Sequence, residues 1–204
     1  MEVGRGQVDW PPNMPLRVHL IRHGETAWSL SGQHTSRTDL PLTEPGESAA
    51  RQLGQRLRGI AFGRVFSSPR LRARQTCELA GLGAVAEIEP DLAEWDYGDY
   101  EGRRTAEIQV TRPAWNLFRD SCPNGESPDQ IAARADRLIA RLRLLDGDVA
   151  LFTHGHMGAV LGVRWIGLPT EEGVHFPLGT ASLSRLASVP NHPDVPVIAL
   201  WNSV

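Results

Sequence analysis

The apolar positions of the chain follow two rhythms. Compact apolar runs at Arg17-Val18-His19-Leu20-Ile21, Arg64-Val65-Phe66, Val85 to Ile88 and Val149-Ala150-Leu151-Phe152 predict strands, with Ser182 to Leu186 and Val197 to Trp201 as later ones. Between them the spacing turns helical. Ala49, Ala50, Leu53 and Leu57 share one face behind Thr43 as cap and Pro45 in the first turn, which predicts a helix to about Leu57. Ser68 as cap and Pro69 predict a second helix to about Ala80. Ser127 and Pro128 open a long one with Ile131, Ala135, Leu138, Ile139, Leu142 and Leu145 at helical spacing, and Leu161 to Ile166 continue another. Alternation of this kind predicts βα units around a largely parallel sheet. The stretch from Pro90 to Gly125 breaks both rhythms and is rich in Trp, Tyr and Gly. A long irregular connection inside a compact domain more often carries function than not.

Charge and composition narrow the function classes. Lys+Arg 21 against Asp+Glu 24 gives a net charge of −3, which argues against a nucleic-acid partner bound by net charge. No apolar run approaches the ~18 residues of a membrane-spanning helix. Cys77 and Cys122 alone make neither a disulfide framework nor a zinc site, so a cytoplasmic setting is expected. Residues 1–14 lack the apolar core of a secretory signal and read as a flexible tail.

Candidate chemistry sits at two predicted strand ends. One strand runs into Arg22-His23-Gly24-Glu25-Thr26 and another into Thr153-His154-Gly155-His156. The carboxyl ends of parallel strands form the ligand crevice of an open α/β sheet, so the two His-Gly pairs are expected to face each other there. Each glycine is expected to let a ligand close to the backbone and to free an N–H for an anion. Arg70, Arg72 and Arg74 occupy the first turns of the helix after Ser68. Arg22 and one of these three would give two guanidinium forks for one phosphate. A neutral imidazole between arginines is a competent nucleophile toward phosphorus, and no metal is then required. A metal held by His154 and His156 is the alternative, but these residues lack a nearby third ligand. The leaving oxygen needs a proton, for which the irregular segment offers Glu94, Asp96, Asp99 and Glu101 among aromatics that would raise a carboxyl pKa.

Leu20-Ile21-Arg22-His23-Gly24-Glu25-Thr26, with Trp28 behind it, resembles the phosphohistidine signature of the histidine phosphatase superfamily. Three more motifs follow in order. Ser67-Ser68-Pro69-Arg70-Leu71-Arg72-Ala73 is similar to the second, Leu92 to Gly102 to the acid-bearing loop, and Thr153-His154-Gly155 to the second histidine motif. Trp28 to Thr35, Thr38 to Thr43, and Arg164-Trp165 behind His156 resemble the branch of sedoheptulose-bisphosphatase-like and acid-phosphatase-like members. The resemblance implies a single three-layer α/β/α sandwich with a mostly parallel central sheet over residues 15–204. It implies His23 as nucleophile, Glu94 as acid and base, and Arg22, Arg72 and His154 around the phosphoryl group. Ser29 stands where asparagine is frequent, so a hydroxyl is expected to make that phosphate contact; Gly155 is expected to supply an N–H. Gln33, Thr35, Ser36 and Tyr97 are expected to meet the rest of the substrate. Met157-Gly158-Ala159 replace a bulky apolar residue, leucine and arginine, which is expected to widen the pocket or remove a charge.

The resulting expectation is a phosphomonoesterase without cofactor or metal. Its substrate would be a small-molecule phosphate ester, with a sugar phosphate favoured, and its only protein partner a second copy in a homodimer. A phosphoglycerate mutase and a non-catalytic phospho-ligand binder are the rival readings.

Overall fold

The computed structural model describes residues 15–204; the tail expected at residues 1–14 lies outside them. The elements in chain order are β1 (Arg17–Arg22), α1 (Ala27–Ser31), α2 (Glu44–Leu57), β2 (Phe62–Ser67), α3 (Leu71–Leu79), β3 (Ala86–Ile88), α4 (Thr105–Gln109), α5 (Pro128–Leu142), β4 (Asp148–Thr153), α6 (Gly155–Trp165), β5 (Leu183–Val189) and β6 (His192–Ser203). The strands form one sheet in the order β3-β2-β4-β1-β5-β6. The first four in that order pair in parallel; β5 and β6 add antiparallel.

β4 shows how the pattern builds the layers. All six of its residues are buried, as a central parallel strand covered on both faces requires. Val149 and Leu151 face the core beneath α5 and α6, while Ala150 and Phe152 face the core beneath α2 and α3. The period of two thus makes an α/β/α sandwich from one strand. α5 contributes Ile131, Leu138 and Leu142, each burial stabilising by about 1.5–3 kcal/mol. Its N-terminus is closed by a capping box between Ser127 and Gln130. Thr43 caps α2 by accepting from the Gly46 N–H, worth about 1 kcal/mol.

α3 begins differently from the expectation. Ser68 is not its cap, and Arg70 at the cap position gives no side-chain bond. The free N–H of Leu71 instead donates to Asp39 Oδ1 at 3.0 Å. The Ser68 hydroxyl is bound to His154, which lies across the crevice.

Candidate active site

β1 and β4 are parallel neighbours with Arg22 opposite Thr153, so the next residue of each chain, His23 and His154, emerges at the same end of the sheet. Their rings lie 5.2 Å apart. His23 Nδ1 is 2.7 Å from the Gly24 carbonyl oxygen. A carbonyl only accepts, so the proton sits on Nδ1 and Nε2 keeps its lone pair. Burial pushes the His23 pKa well below its ordinary value, and Arg72 and Arg22 push it further, in that order. His154 is fully buried, with Nε2 at 2.7 Å from Ser68 Oγ and Nδ1 without a partner. Its pKa is likewise well below ordinary, through burial first and Arg72 next.

Arg72 projects from the first turn of α3 and is completely buried. Its guanidinium donates to the Thr35 carbonyl at 2.8 Å and to that of Thr38 at 3.3 Å. Arg22, in the cavity wall, donates to the Leu178 carbonyl. Neither arginine pairs with a carboxylate among the described residues, and the Nε atom of each is buried without a partner. Arg70 reaches only the Arg37 carbonyl, and Arg74 is exposed. Of the three arginines after Ser68, Arg72 acts on both histidines, and Arg70 acts more weakly on His154.

Glu94 meets them from the irregular segment. One carboxylate oxygen accepts from Trp95 N at 2.9 Å and Met157 N at 2.8 Å, the other from His156 N at 3.1 Å. Two of these donors belong to the N-terminus of α6, where the helix dipole also favours an anion. Burial alone would raise its pKa; the His156 ring and the three N–H donors outweigh that and hold the carboxyl below its ordinary range. The expected upward shift from neighbouring aromatics is thus corrected for the ligand-free site.

The cavity above these groups has a volume of about 390 Å³. Ser29, Gln33, Thr35, Tyr97 and Gly155 all line it. Ser36 does not; its hydroxyl and N–H are bound to the Glu101 carboxylate at 2.6 and 2.9 Å. Ser29 lines the wall with its hydroxyl committed, donating to Thr26 O and accepting from Thr26 N in the cap of α1. A hydroxyl has one proton, so Ser29 has none for a phosphate while that cap holds. Gly24 also differs from expectation: its N–H donates to Thr76 Oγ1 at 2.9 Å, and a Cβ there would meet Gly46 O at 2.6 Å. It is glycine for close packing against α2. The Gly155 N–H, at the start of α6, has no partner among the described residues, and a Cβ at Gly155 would touch the Arg22 guanidinium at 3.4 Å. Ala159, where the resembling branch often carries arginine, is in the lining and brings no charge.

The family model for the histidine phosphatase superfamily, branch 1, matches residues 18–203. The chain belongs to the histidine phosphatase superfamily. This histidine phosphatase is 42% identical to the acid phosphatase of Mycobacterium tuberculosis over 171 residues, 82% of this chain and 84% of that protein. It is 38% identical to the sedoheptulose 1,7-bisphosphatase of Saccharomyces cerevisiae over 195 residues, 79% and 71% of the two chains. The solved structure of an open-reading-frame product from Mycobacterium tuberculosis superposes with a TM-score of 0.86 at 38% identity, covering 92% and 97%. No helix among the described residues is long and apolar enough to cross a membrane.

Residue reading alone missed part of the histidine phosphatase cavity. His34, Phe118 and Phe176 line it. Phe118 falls in the irregular stretch from Pro90 to Gly125, and His34 stands in a polar run without helical or strand period. Ser68 was legible as a polar residue at a strand end, but its partner His154 is 86 positions away. Among the described residues no three His, Cys, Asp or Glu side chains are grouped to hold a metal ion.

Proposed function

We propose that the protein hydrolyses small phosphate monoesters, sugar phosphates foremost, through a phosphohistidine at His23 and without a metal. The observation that carries this reading is the pair Arg22 and Arg72 beside a neutral His23. Burying a cation without an anionic partner is costly unless a ligand supplies the anion. A phosphoryl group would meet the N–H donors that the carbonyls leave free, the buried Nε of Arg22 and of Arg72 among them. The phosphatase relatives support the same class of reaction.

His23 Nε2 attacks phosphorus with its lone pair while the bond to the ester oxygen breaks. The two arginines, the Gly155 N–H and His154 stabilise the equatorial oxygens. If the Ser68 hydroxyl donates to His154 Nε2, the His154 proton sits on the unpartnered Nδ1, free to reach a phosphoryl oxygen. Glu94 protonates the leaving oxygen. It then removes a proton from water as the water oxygen attacks phosphorus and the N–P bond breaks, returning the electron pair to His23 and releasing inorganic phosphate. The N–H donors and the His156 ring favour an ionised Glu94, so its proton must be acquired as the ester binds; a phosphate dianion beside it raises its proton affinity.

Glu94→Gln separates this mechanism from simple binding. In single-turnover kinetics the variant should slow sugar phosphates by about 10²–10⁴-fold and an activated aryl phosphate far less, because an aryl oxide leaves without a proton. Chelator treatment should leave the wild-type rate unchanged. Equal slowing of both esters, or a rate restored only by a divalent ion, would overturn the assignment.

A further inference from the structure

The cavity is lined by few charged groups and many rings. Its charged lining groups, Arg22 and Glu94, belong to the reacting end with His23. Beside them the wall is a set of interlocked rings, with His156 Nδ1 4.0 Å from the Glu94 carboxylate. His34 lies 4.7 Å from Tyr97 and 5.8 Å from His156, and Phe118 lies 5.5 Å from His156. Val174 and Phe176 also line the cavity, as does Leu178, whose carbonyl binds Arg22.

Among the described residues no arginine other than Arg22 lines the cavity. The cations on the adjoining segment are engaged elsewhere. Arg103 donates to Glu107 O and lies over the Tyr100 ring, and Arg104 pairs with Glu107. Burial also holds His34 toward its neutral form, and the His156 ring faces the Glu94 carboxylate at 4.0 Å. An anion placed here would lose its water and gain no cation. A ring with hydroxyls is better matched. Its C–H faces can lie on the aromatic wall, and its hydroxyls can donate to the side-chain oxygens of Thr35 and Thr105. A volume of about 390 Å³ suits a small metabolite.

We propose that the site takes singly phosphorylated esters whose leaving group is an uncharged, hydroxylated ring, and that it discriminates against esters bearing a second phosphate or a carboxylate. This rests on the hydrolase reading above and specifies its substrate class.

The test compares kcat/KM for a hexose monophosphate, the corresponding hexose bisphosphate and a phosphorylated hydroxy acid, with an activated aryl phosphate as reference. The monophosphate should exceed the other two sugar-type and acid substrates by about tenfold or more. Val174→Arg places a cation in the lining at a position 46% exposed, where the longer side chain does not disturb the core. It should shift the bisphosphate-to-monophosphate ratio toward the bisphosphate by at least about threefold. A wild-type enzyme that prefers the bisphosphate or the acid, or a ratio that Val174→Arg leaves unmoved, would overturn the proposal. Failure to turn over even the aryl phosphate would instead overturn the hydrolase reading.

Discussion

β1 and β4 lie side by side and carry an arginine–histidine cluster at each end. At the amino end, Arg17 and His19 converge on Asp148; Arg17 Nε donates to its carboxylate at 2.8 Å and His19 Nε2 is 2.7 Å from it. At the carboxyl end, Arg22, Arg72, His23 and His154 converge with no carboxylate paired to either arginine among the described residues. The same residue types are self-sufficient at one end and incomplete at the other. A polar cluster that carries its own counter-ion is part of the fold. One that leaves guanidinium groups unpaired is complementary to something the chain does not contain, and a phosphoryl group has the charge and the geometry.

Substitutions at the two ends should therefore separate activity from stability. His23→Ala should lower kcat/KM by on the order of 10⁴-fold or more, as expected for loss of a nucleophile, with little change in unfolding free energy. His19→Ala, on the same strand, should leave kcat/KM within about twofold while lowering stability. Steady-state kinetics and urea titrations on both variants would break the comparison if His19→Ala were the more damaging to catalysis.

Arg72→Met should cost about 10²–10³ in kcat/KM, the effect of removing one transition-state donor. It should cost about 1–3 kcal/mol of stability, because the Thr35 and Thr38 carbonyls lose their donor while a buried cation is removed. Inorganic phosphate should raise the melting temperature of the wild type and not that of this variant. Asp148→Asn should lose about 1–3 kcal/mol with turnover retained. Steady-state kinetics reads the turnover of both variants, and differential scanning fluorimetry with and without phosphate reads their stability and ligand response.

Acid sharpens the contrast most subtly. Asp148 opposes the effect of burial on His19, whereas at the other end Arg72 and Arg22 add to it on His23 and His154. His19 should therefore protonate at a higher pH than either of the other two, measurable by NMR titration of the imidazole protons. His34 is pushed down to about 4 by burial and by His156. All four histidines bind protons more weakly folded than unfolded. Their contribution to stability is complete above the ordinary value of 6.5 and is lost as pH falls through the folded values. Unfolding free energy should thus decline from pH 6.5 toward 4, and His34→Gln should make that decline shallower.

How legible the protein was depended on how local each signal is. α2 and α5 were readable because a cap and a one-sided apolar stripe lie within one stretch of chain. β4 was readable as a buried run, and with it the position of His154 at a strand end. α1 spans only five residues, too few to show a period. The start of α3 differs from its sequence signal because Ser68 closes a turn onto the Arg70 N–H and binds His154, and a loop aspartate receives the Leu71 N–H. Ser29, Ser36 and Thr35 look alike as loop polar residues; only the folded positions of Thr26, Glu101 and Arg72 divide them into a cap, a carboxylate ligand and a cavity residue. The donors that lower the Glu94 pKa without a bound ester are hidden from the sequence for the same reason. Its aromatic neighbours are visible in sequence, but the N–H groups of α6 reach it from 62 and 63 positions away.

The central claim is that His23 Nε2 carries the phosphoryl group during turnover. Rapid quench of a sugar monophosphate reaction under non-acidic conditions, followed by peptide mass spectrometry, tests it most directly. The account predicts phosphate on the peptide containing His23 before inorganic phosphate reaches its steady rate, and none in His23→Ala. Turnover with no phosphorylated peptide, or with the phosphate on any other residue, would contradict it.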